Sequence, residues 1–431
     1  MIVHVVRPGD TLDGIAREYG VSPSLLQADN RLPDPGRLVT GQTIVVRRPE
    51  TVYTVRPGDT LTAIAASSGL SVRQLLRLNP ILRGEDAVYP GQTIILADGS
   101  RPARSAVVTG YAYPFVDRGL LQRTLPYLSA LVPFTYGIRG DGSLLPLDDT
   151  ALIAAAEQSG VTPCMHLSTL TDGERFDSAL ADRVLNDETM QATLIADLLA
   201  TLTRRGYRAL DVDFEFIPAR DAEPYARFIT ALRRALAPLG APVIVALAPK
   251  TSAEQSGLLY EGHSYPLLGE AADLLLLMTY EWGYTYGPPM AVAPLPNVRQ
   301  VVEYALGEIP AGKLLLGVPN YGYDWRLPYV RGVSRATSIS NQYAVVLASR
   351  HNAAISYDET AQSPWFRYRD AAGAEHEVWF EDARSVTAKL SLIDRYGLAG
   401  AGYWNLMRPF PQNWLILSSA FHVRDDLSPR S

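Results

Sequence analysis

The sequence of 431 residues contains a single cysteine, Cys164, and this scarcity limits its chemistry. One cysteine allows neither an intrachain disulfide nor a cysteine-based zinc site. Because Cys164 lies in an apolar, strand-like run, we interpret it as a buried structural thiol. The histidines are scattered and lack the spacing of metal ligands, so we expect no metal and no other cofactor.

Long apolar runs and clusters of positive charge are also missing. No run reaches the roughly 18 apolar residues of a transmembrane helix, so we expect no membrane span. The net charge is −6 and no basic patch stands out, which argues against nucleic acid as a partner. The first residues show no basic segment followed by a long apolar one, so we identify no secretion signal. A glycine-rich phosphate loop and a nucleophile elbow are absent as well.

An internal repeat occupies the first hundred residues. Residues 3–46 and 52–96 each contain Val-Arg-Pro-Gly-Asp-Thr-Leu near the start and Gly-Gln-Thr-Ile near the end, and the second copy carries one extra residue. Apolar periodicity predicts strand, helix, helix and strand in each copy, with Asn30 and Asn79 ending the second helices. The copies resemble LysM modules over their whole length. That resemblance implies binding of glycans rich in N-acetylglucosamine, such as peptidoglycan or chitin; the alternative is a pair of spacers.

The remainder of the chain alternates short apolar runs with amphipathic helical patterns, as in helix 221–238. We predict eight strands, at 106–113, 130–138, 162–168, 209–216, 242–248, 272–280, 313–321 and 398–404. Eight such units in about 320 residues predict an α/β fold, a (β/α)₈ TIM barrel. The connection between strands 7 and 8 is unusually long, and we interpret about 326–384 as a small α+β insertion that forms one wall of the substrate groove. The predicted domains are 1–48, 51–98 and 105–431.

The most informative stretch is 210–216, which carries acidic residues at every second position. Side chains alternate across a strand, so Asp211, Asp213 and Glu215 should share one face. Carboxylates about 7 Å apart repel one another, which raises the pKa of at least one and suits it to act as a general acid. Glu215 falls near the C-terminal end of the fourth strand, where barrel enzymes hold their active sites. The alternative is an edge strand with a solvated acidic face.

Three motifs at strand ends resemble glycoside hydrolase family 18. Asp211-x-Asp213-x-Glu215 matches the end of the family's Asp-x-x-Asp-x-Asp-x-Glu, with Arg208 at the first position. Met278-Thr-Tyr280-Glu281 matches Met-x-Tyr-Asp, with Glu in the last place, and Gly402-Tyr-Trp404 matches the tryptophan that floors the sugar site. The longer runs at 278–294 and 402–414, with two LysM modules, resemble the spore-cortex-lytic N-acetylglucosaminidases of bacterial spore germination.

The resemblance implies a retaining glycosidase in which the acetamido group of the substrate is the nucleophile. Glu215 then acts as acid and base, Asp213 binds the acetamide N–H, and Asp211 shares a proton with Asp213. Tyr280 donates a hydrogen bond to the acetamide carbonyl, and Trp404 stacks under the sugar.

Each candidate for substrate binding also has an alternative structural role. Alone, Tyr280 and Trp404 would be barrel-core aromatics, but their position at strand ends beside the acid row favours the site. Glu281 either bonds substrate or caps a loop. The remaining candidates for substrate binding, each with core packing as the alternative, are Tyr111, Tyr136, Met278, Asn320 and Tyr321.

The sequence therefore predicts a hydrolase that cleaves β-1,4 bonds after N-acetylglucosamine in spore-cortex peptidoglycan, held on the polymer by its LysM modules. We expect it in the spore coat or cortex, or in the extracellular cell wall. One alternative is a chitinase or chitooligosaccharide hydrolase with the same machinery. The other is a chitinase-like lectin, which would require loss of the acid, whereas Glu215 is present.

Overall fold

The two repeats fold as small modules, each with a strand, two helices and a strand that pairs antiparallel with the first. The computed structural model describes residues 1–82, 87–171 and 176–428. Module 1 consists of β1 (Ile2–Val5), α1 (Leu12–Tyr19), α2 (Pro23–Asn30) and β2 (Thr43–Val46), and module 2 of β3 (Thr51–Thr54), α3 (Leu61–Ser67), α4 (Val72–Leu78) and β4 (Thr93–Ala97). The order predicted from the repeat is confirmed.

A buried asparagine at the end of the second helix holds each module together. The Asn30 side chain donates to the carbonyl of Val45 at 2.8 Å and accepts from its N–H at 2.7 Å. Asn79 makes the same pair of bonds to Ile95, each at 2.8 Å. Since each amide thereby satisfies both backbone groups of a β-strand residue, it fixes how the helices sit on the strands.

Eight parallel strands then close into a barrel, as predicted, because the last strand pairs with the first. Its first seven strands and their helices are β5 (Arg104–Ala112), α5 (Arg118–Thr124), β6 (Ala130–Pro133), α6 (Thr150–Gln158), β7 (Thr162–Ser168), α7 (Ser178–Asn186), α8 (Glu188–Arg205), β8 (Ala209–Asp213), α9 (Ala222–Leu236), β9 (Val243–Leu247), α10 (Tyr265–Ala271), β10 (Leu274–Leu277), α11 (Leu295–Glu308) and β11 (Leu314–Pro319).

An antiparallel sheet with one helix follows β11. It comprises β12 (Gly322–Arg326), β13 (Thr337–Ile339), α12 (Asn341–Arg350), β14 (Ser356–Asp358), β15 (Ser363–Arg369) and β16 (Glu375–Trp379), in the order β13-β12-β16-β15-β14. We call these elements the insertion; the sheet begins at Gly322, slightly before the stretch assigned from sequence. The chain completes the barrel with α13 (Ala383–Tyr396), β17 (Gly400–Trp404), α14 (Pro411–Ala420) and β18 (Phe421–Val423).

Several barrel strands end earlier than the sequence predicted, among them β10, which stops at Leu277 instead of 280. Strand β8 stops at Asp213 instead of 216, and Phe216 has a left-handed backbone with φ +57°. Strand β6 stops at Pro133, and only a single bridge, from Tyr136 to Leu167, continues the pairing. Alternation nevertheless continues one residue beyond β8, because Val212 packs under the outer helices and Phe214, just after the strand, stacks on Tyr225 of α9.

The barrel interior is filled by small and medium apolar side chains, Cys164 among them. This confirms the interpretation of Cys164 as a buried thiol. Above this layer, towards the C-terminal ends of the strands, the interior becomes polar. None of the helices in the described residues is both long and apolar enough to cross a membrane.

Candidate active site

The carboxyl groups of Asp211 and Asp213 lie inside the C-terminal end of the barrel and are both buried. Tyr111, on β5, donates its hydroxyl to Asp211 Oδ2 at 2.7 Å. The Oδ1 atom of each aspartate has no hydrogen-bond partner within the described residues. Two neighbouring buried carboxyl groups with so few donors are costly to ionise together.

A histidine from β7 faces the same pair. His166 Nε2 lies 3.7 Å from Asp211 Oδ2 and 3.8 Å from Asp213 Oδ2. Its Nδ1 lies 2.5 Å from the Thr135 hydroxyl, which follows β6. Burial lowers the pKa of His166 to about 3, so the ring is neutral at ordinary pH. If Thr135 donates to Nδ1, the Nε2–H points at the two aspartates.

The three acids of the row bind protons more tightly than free carboxyl groups do. Burial raises the pKa of Asp211 to about 7, against the hydrogen bond from Tyr111. Burial and the neighbouring Asp211 raise the pKa of Asp213 to about 7. Burial, then Asp213 and Glu281, raise the pKa of Glu215 to about 8. Mutual repulsion was predicted from the sequence, but burial is the larger cause of the raised pKa at every position.

Glu215 stands two residues beyond the end of β8 and is partly buried. Its segment is anchored to the connection that follows β9. His263 Nε2 lies 3.0 Å from the carbonyl of Phe214, and Gly262 N–H donates to the carbonyl of Ile217 at 2.9 Å. Because Ala248 N–H donates to His263 Nδ1 at 3.1 Å, the imidazole proton must lie on Nε2. Glu215 is thus positioned by a loop from the neighbouring strand.

Tyr280 lies beyond β10 among these acids. Burial, followed by the charges of Asp213, Glu215 and Glu281, raises its pKa well above the usual value. The phenol therefore keeps its proton and remains a hydrogen-bond donor at any working pH.

Glu281 is an exposed residue whose carboxylate is held by two tyrosines. Tyr321 donates to Oε1 in a short hydrogen bond, and the Tyr323 hydroxyl lies 3.1 Å from Oε1 and 3.2 Å from Oε2. Its backbone is left-handed, with φ +66°. A non-glycine residue in this conformation costs free energy and recurs where a side chain must be aimed at a site.

Trp404, at the end of β17, closes the apolar side of the site. Its ring lies 4.9 Å from that of Phe134, 5.8 Å from Tyr111 and 6.2 Å from Tyr113, measured between centroids. It also lines an open cleft of about 590 Å³ together with Glu281, Tyr321, Tyr323 and residues of the loop after β17. An indole wall opposite hydroxyl and carboxylate groups is suited to a sugar ring, which has apolar C–H faces and polar edges.

Not every residue predicted from sequence joins this group. Tyr136 packs outside the barrel, where its hydroxyl and that of Tyr207 both donate to buried Asp149. Asn320 is buried and donates to the carbonyls of Asn405 and Arg408 at 2.9 and 2.8 Å, so it supports the loop after β17. Met278 is partly buried just beyond β10, two residues before Tyr280.

Four residues of the site were not predicted from the sequence: His166, Thr135, His263 and Tyr323. His166 could have been found, because it stands two residues after Cys164 on a strand whose alternate positions face the interior. Tyr323 lies on the insertion and meets Glu281 only through the tertiary fold. Within the described residues, no group of three or more His, Cys, Asp or Glu side chains is arranged to hold a metal ion.

Comparison with known proteins identifies both parts of the chain. The model of glycosyl hydrolases family 18 matches residues 144–408, more than half of the chain, and the LysM domain model matches residues 4–47 and 53–97. A cortical fragment-lytic enzyme of Bacillus subtilis is 41% identical over 429 residues, covering 98% of this chain and 99% of the relative. The Bacillus anthracis enzyme of the same name is 36% identical over 421 residues, covering 97% and 98%.

Solved structures agree with these relationships. The spore cortex-lytic enzyme SleL of Bacillus megaterium superposes with a TM-score of 0.83 and 36% identity, covering 99% of both chains. A chitinase from Chromobacterium violaceum superposes with a TM-score of 0.68 and 26% identity, covering 73% of this chain and 98% of the chitinase. The chain therefore belongs to glycosyl hydrolases family 18, and it carries two LysM domains at its N-terminal end.

Proposed function

We propose that this glycosidase cleaves β-1,4 bonds after N-acetylglucosamine in spore-cortex peptidoglycan, with the acetamido group of the substrate as nucleophile. Two relatives matched over nearly their whole length, LysM domains included, are named cortical fragment-lytic enzymes. The observation that carries the proposal is the position of Glu215. It is a partly buried carboxyl group with a pKa of about 8, raised by burial, by the neighbouring Asp213 of the buried aspartate pair and by Glu281, which lines the open cleft.

The first step transfers the proton of Glu215 to the glycosidic oxygen. A pKa of about 8 keeps Glu215 protonated at neutral pH, as a general acid requires. As the bond between C1 and the leaving oxygen breaks, the acetamido carbonyl oxygen bonds to C1 and a cyclic oxazolinium ion forms. The departing sugar leaves with the proton, and Glu215 becomes a carboxylate.

The second step reverses the roles. Carboxylate Glu215 takes a proton from water, whose oxygen attacks C1, and the acetamide is restored. Two displacements at C1 give net retention of configuration. Protonated Glu215 is then ready for the next cycle, so one carboxyl group serves as both acid and base.

Asp213 and Asp211 control the acetamide. Asp213 accepts a hydrogen bond from the acetamide N–H, which orients the carbonyl oxygen towards C1 and disperses the charge of the ring that forms. Asp211, held by Tyr111 and faced by His166, shares one proton with Asp213. The pKa of about 7 for each aspartate supports a pair with one proton in neutral solution.

Tyr280, Trp404 and Glu281 bind the sugar. The Tyr280 hydroxyl donates to the acetamide oxygen, a bond that strengthens as that oxygen attacks C1. Trp404 offers its indole face to the apolar side of the ring. Glu281, fixed by Tyr321 and Tyr323, accepts hydrogen bonds from sugar hydroxyl groups.

The LysM domains keep the enzyme on its polymer, and the place of action is the spore cortex. Two modest affinities on one chain retain it at the surface far longer than either alone. A chitinase remains a competing assignment because chitin presents the same acetamido group. The match to the Chromobacterium violaceum chitinase covers only 73% of this chain.

Product analysis separates the two substrates. The protein is incubated with cortex fragments, vegetative peptidoglycan and chitin oligomers, and new reducing ends are identified by mass spectrometry. N-acetylglucosamine reducing ends from cortex, with little release from chitin, support the proposal. Equal or faster release from chitin assigns the enzyme to chitin instead.

A further inference from the structure

The two LysM domains share a short sequence segment that is buried in module 1 and exposed in module 2. The segment is 39–43 in module 1 and 89–93 in module 2, and both end in Gly-Gln-Thr. Its internal bonds are alike in the two copies. Gly41 N–H donates to Val6 at 2.8 Å and Gly91 N–H to Val55 at 2.8 Å, while each glutamine side chain caps the N–H three residues earlier at 3.1 Å. The copies share a conformation but differ in what covers them.

In module 1 the segment is buried against the catalytic part of the chain. Val39 is 6% exposed and packs in the core of the insertion with Ile355 and Phe366. Ile355 N–H donates to the carbonyl of Thr40 at 2.9 Å. A Cβ added to Gly41 would lie 1.8 Å from the carbonyl oxygen of Ile355, so the two backbones are in direct contact.

The barrel itself completes the contact with module 1. Gln412, on α14, donates to the carbonyl of Thr43 at 2.7 Å and to Asn30 Oδ1 at 2.8 Å. Arg384, on α13, donates to the carbonyl of Gly41 at 3.1 Å. Module 1 therefore touches the insertion, α13 and α14 through the segment whose counterpart in module 2 is exposed.

In module 2 the segment faces solvent. Tyr89 is 69% exposed, and Pro90, Gly91 and Thr93 are exposed as well. A Cβ added to Gly91 would meet no atom of the described residues within 4 Å. Module 2 is attached to the barrel by another surface, where Arg77 on α4 donates to the carbonyl of Pro126 at 2.6 Å. Docking thus leaves its copy of the segment open.

We propose that the two LysM domains have divided their roles. Module 1 is an internal dock that fastens the insertion to the barrel. Module 2 alone binds the glycan polymer through its copy of the segment, with Tyr89 and Thr93, and through the exposed Val52 and Ile81, which line one cleft with Thr93. We call this surface the open face. The proposal rests on the proposed function for the identity of the polymer, a glycan rich in N-acetylglucosamine.

The chemistry of the open face fits an uncharged sugar. Val52 and Ile81 are 53% and 57% exposed, so with Tyr89 they present aliphatic and aromatic surface to solvent. A phenol ring and aliphatic groups pack on the C–H face of a sugar and on the acetamido methyl group, while Thr93 offers a hydroxyl. Val52, Ile81 and Thr93 lie on the module 2 side of an open cleft between the modules, and residues of α2 and Arg47 line the other side.

Binding to insoluble peptidoglycan tests whether the open face of module 2 binds the glycan. Tyr89→Ala and the matched Val39→Ala are made in a Glu215→Gln background, so that the polymer is not consumed, and the bound fraction is measured by co-sedimentation. We expect Tyr89→Ala to weaken binding about three- to tenfold, the worth of one stacked ring, and Val39→Ala to bind as its parent. Hydrolysis of a soluble oligosaccharide by the otherwise unaltered protein is assayed separately, so a failed hydrolase assignment is distinguishable from a failed binding assignment.

A pair of glycine variants tests whether module 1 acts as the internal dock. Gly41→Ala and Gly91→Ala impose the same backbone strain, since φ is +84° and +87°. Among the described residues, only the methyl group added at position 41 would meet a neighbour. We expect Gly41→Ala to lower the melting temperature clearly more than Gly91→Ala. An equal loss of melting temperature in the two variants would contradict the docking role of module 1. Unchanged binding by Tyr89→Ala would overturn the glycan assignment and leave a protein partner as the occupant of the open face.

Discussion

Tyr111 on β5 and Asp211 on β8 are joined across the barrel interior by a 2.7 Å hydrogen bond from the phenol to the carboxylate. This bond opposes the rise that burial imposes on the pKa of Asp211. It therefore tunes how readily the aspartate pair gives up a proton.

Tyr111→Phe should move the acidic limb of the pH profile of kcat/KM to higher pH. Removing the donor favours the protonated carboxyl, and one hydrogen bond of about 1 kcal/mol corresponds to about 0.7 pH unit. The measurement is kcat/KM from pH 4 to 9 for the wild type and the variant. An acidic limb at the same pH in both would show that Asp211 does not set it.

Glu215→Gln should be stabilising, and increasingly so as the pH rises. In the folded protein the pKa of Glu215 is about 8, against an ordinary value of 4.5. Between these values the folded state holds a proton that the unfolded chain has released, so wild-type stability falls with rising pH. Glutamine cannot ionise and escapes this loss.

Thermal melts of both proteins at pH 4.5 and pH 8 check this expectation. The difference in melting temperature should be small at pH 4.5. At pH 8 it should favour the variant, by about 2–4 °C for each kcal/mol of stability that the wild type has lost. A difference independent of pH would mean that Glu215 titrates normally in the folded protein.

His263 should affect turnover through its Nε2–H. Gln at this position keeps a donor for the carbonyl of Phe214, next to Glu215, whereas Asn keeps only an acceptor for Ala248 N–H. Both variants should lose about 1–3 kcal/mol of stability. We expect His263→Gln to retain clearly more kcat than His263→Asn. Equal loss of kcat at equal stability would assign His263 a structural role alone.

Tyr136→Phe should change stability without changing catalysis. Its hydroxyl donates to Asp149, which also accepts from Tyr207 at 2.6 Å, outside the barrel. Losing one donor to a buried carboxylate should cost about 1–3 kcal/mol of the free energy of unfolding. kcat and KM should match the wild type, and a change in KM would return Tyr136 to the substrate groove.

The acid row could be predicted because alternation along a strand depends only on local geometry. Asp211, Asp213 and the eight strands followed from short-range pattern, and the family from motifs at strand ends. The early end of β8 could not be predicted from local pattern. Phe216 turns out of the strand because Gly262 and His263 bind the carbonyl groups of its neighbours Ile217 and Phe214. Those contacts come from a loop more than 40 residues away in the chain.

Residues beyond strand ends were the least predictable. Ala130, Val132 and Phe134 alternate into the barrel, but β6 ends at Pro133 and the chain after it carries Tyr136 to the outer layer. The surroundings of the LysM domains were equally hidden. Gly41 and Gly91 lie in the same short motif, and only the packing of the insertion buries one of them.

Hydrolysis of an N-acetylglucosamine-containing oligosaccharide by Glu215→Gln tests the central assignment most directly. Loss of the acid should reduce kcat by about 10²- to 10⁴-fold, while the folded state and binding to insoluble peptidoglycan are retained. Turnover within tenfold of the wild type by a folded variant would contradict Glu215 as the proton donor and, with it, the mechanism proposed for this enzyme.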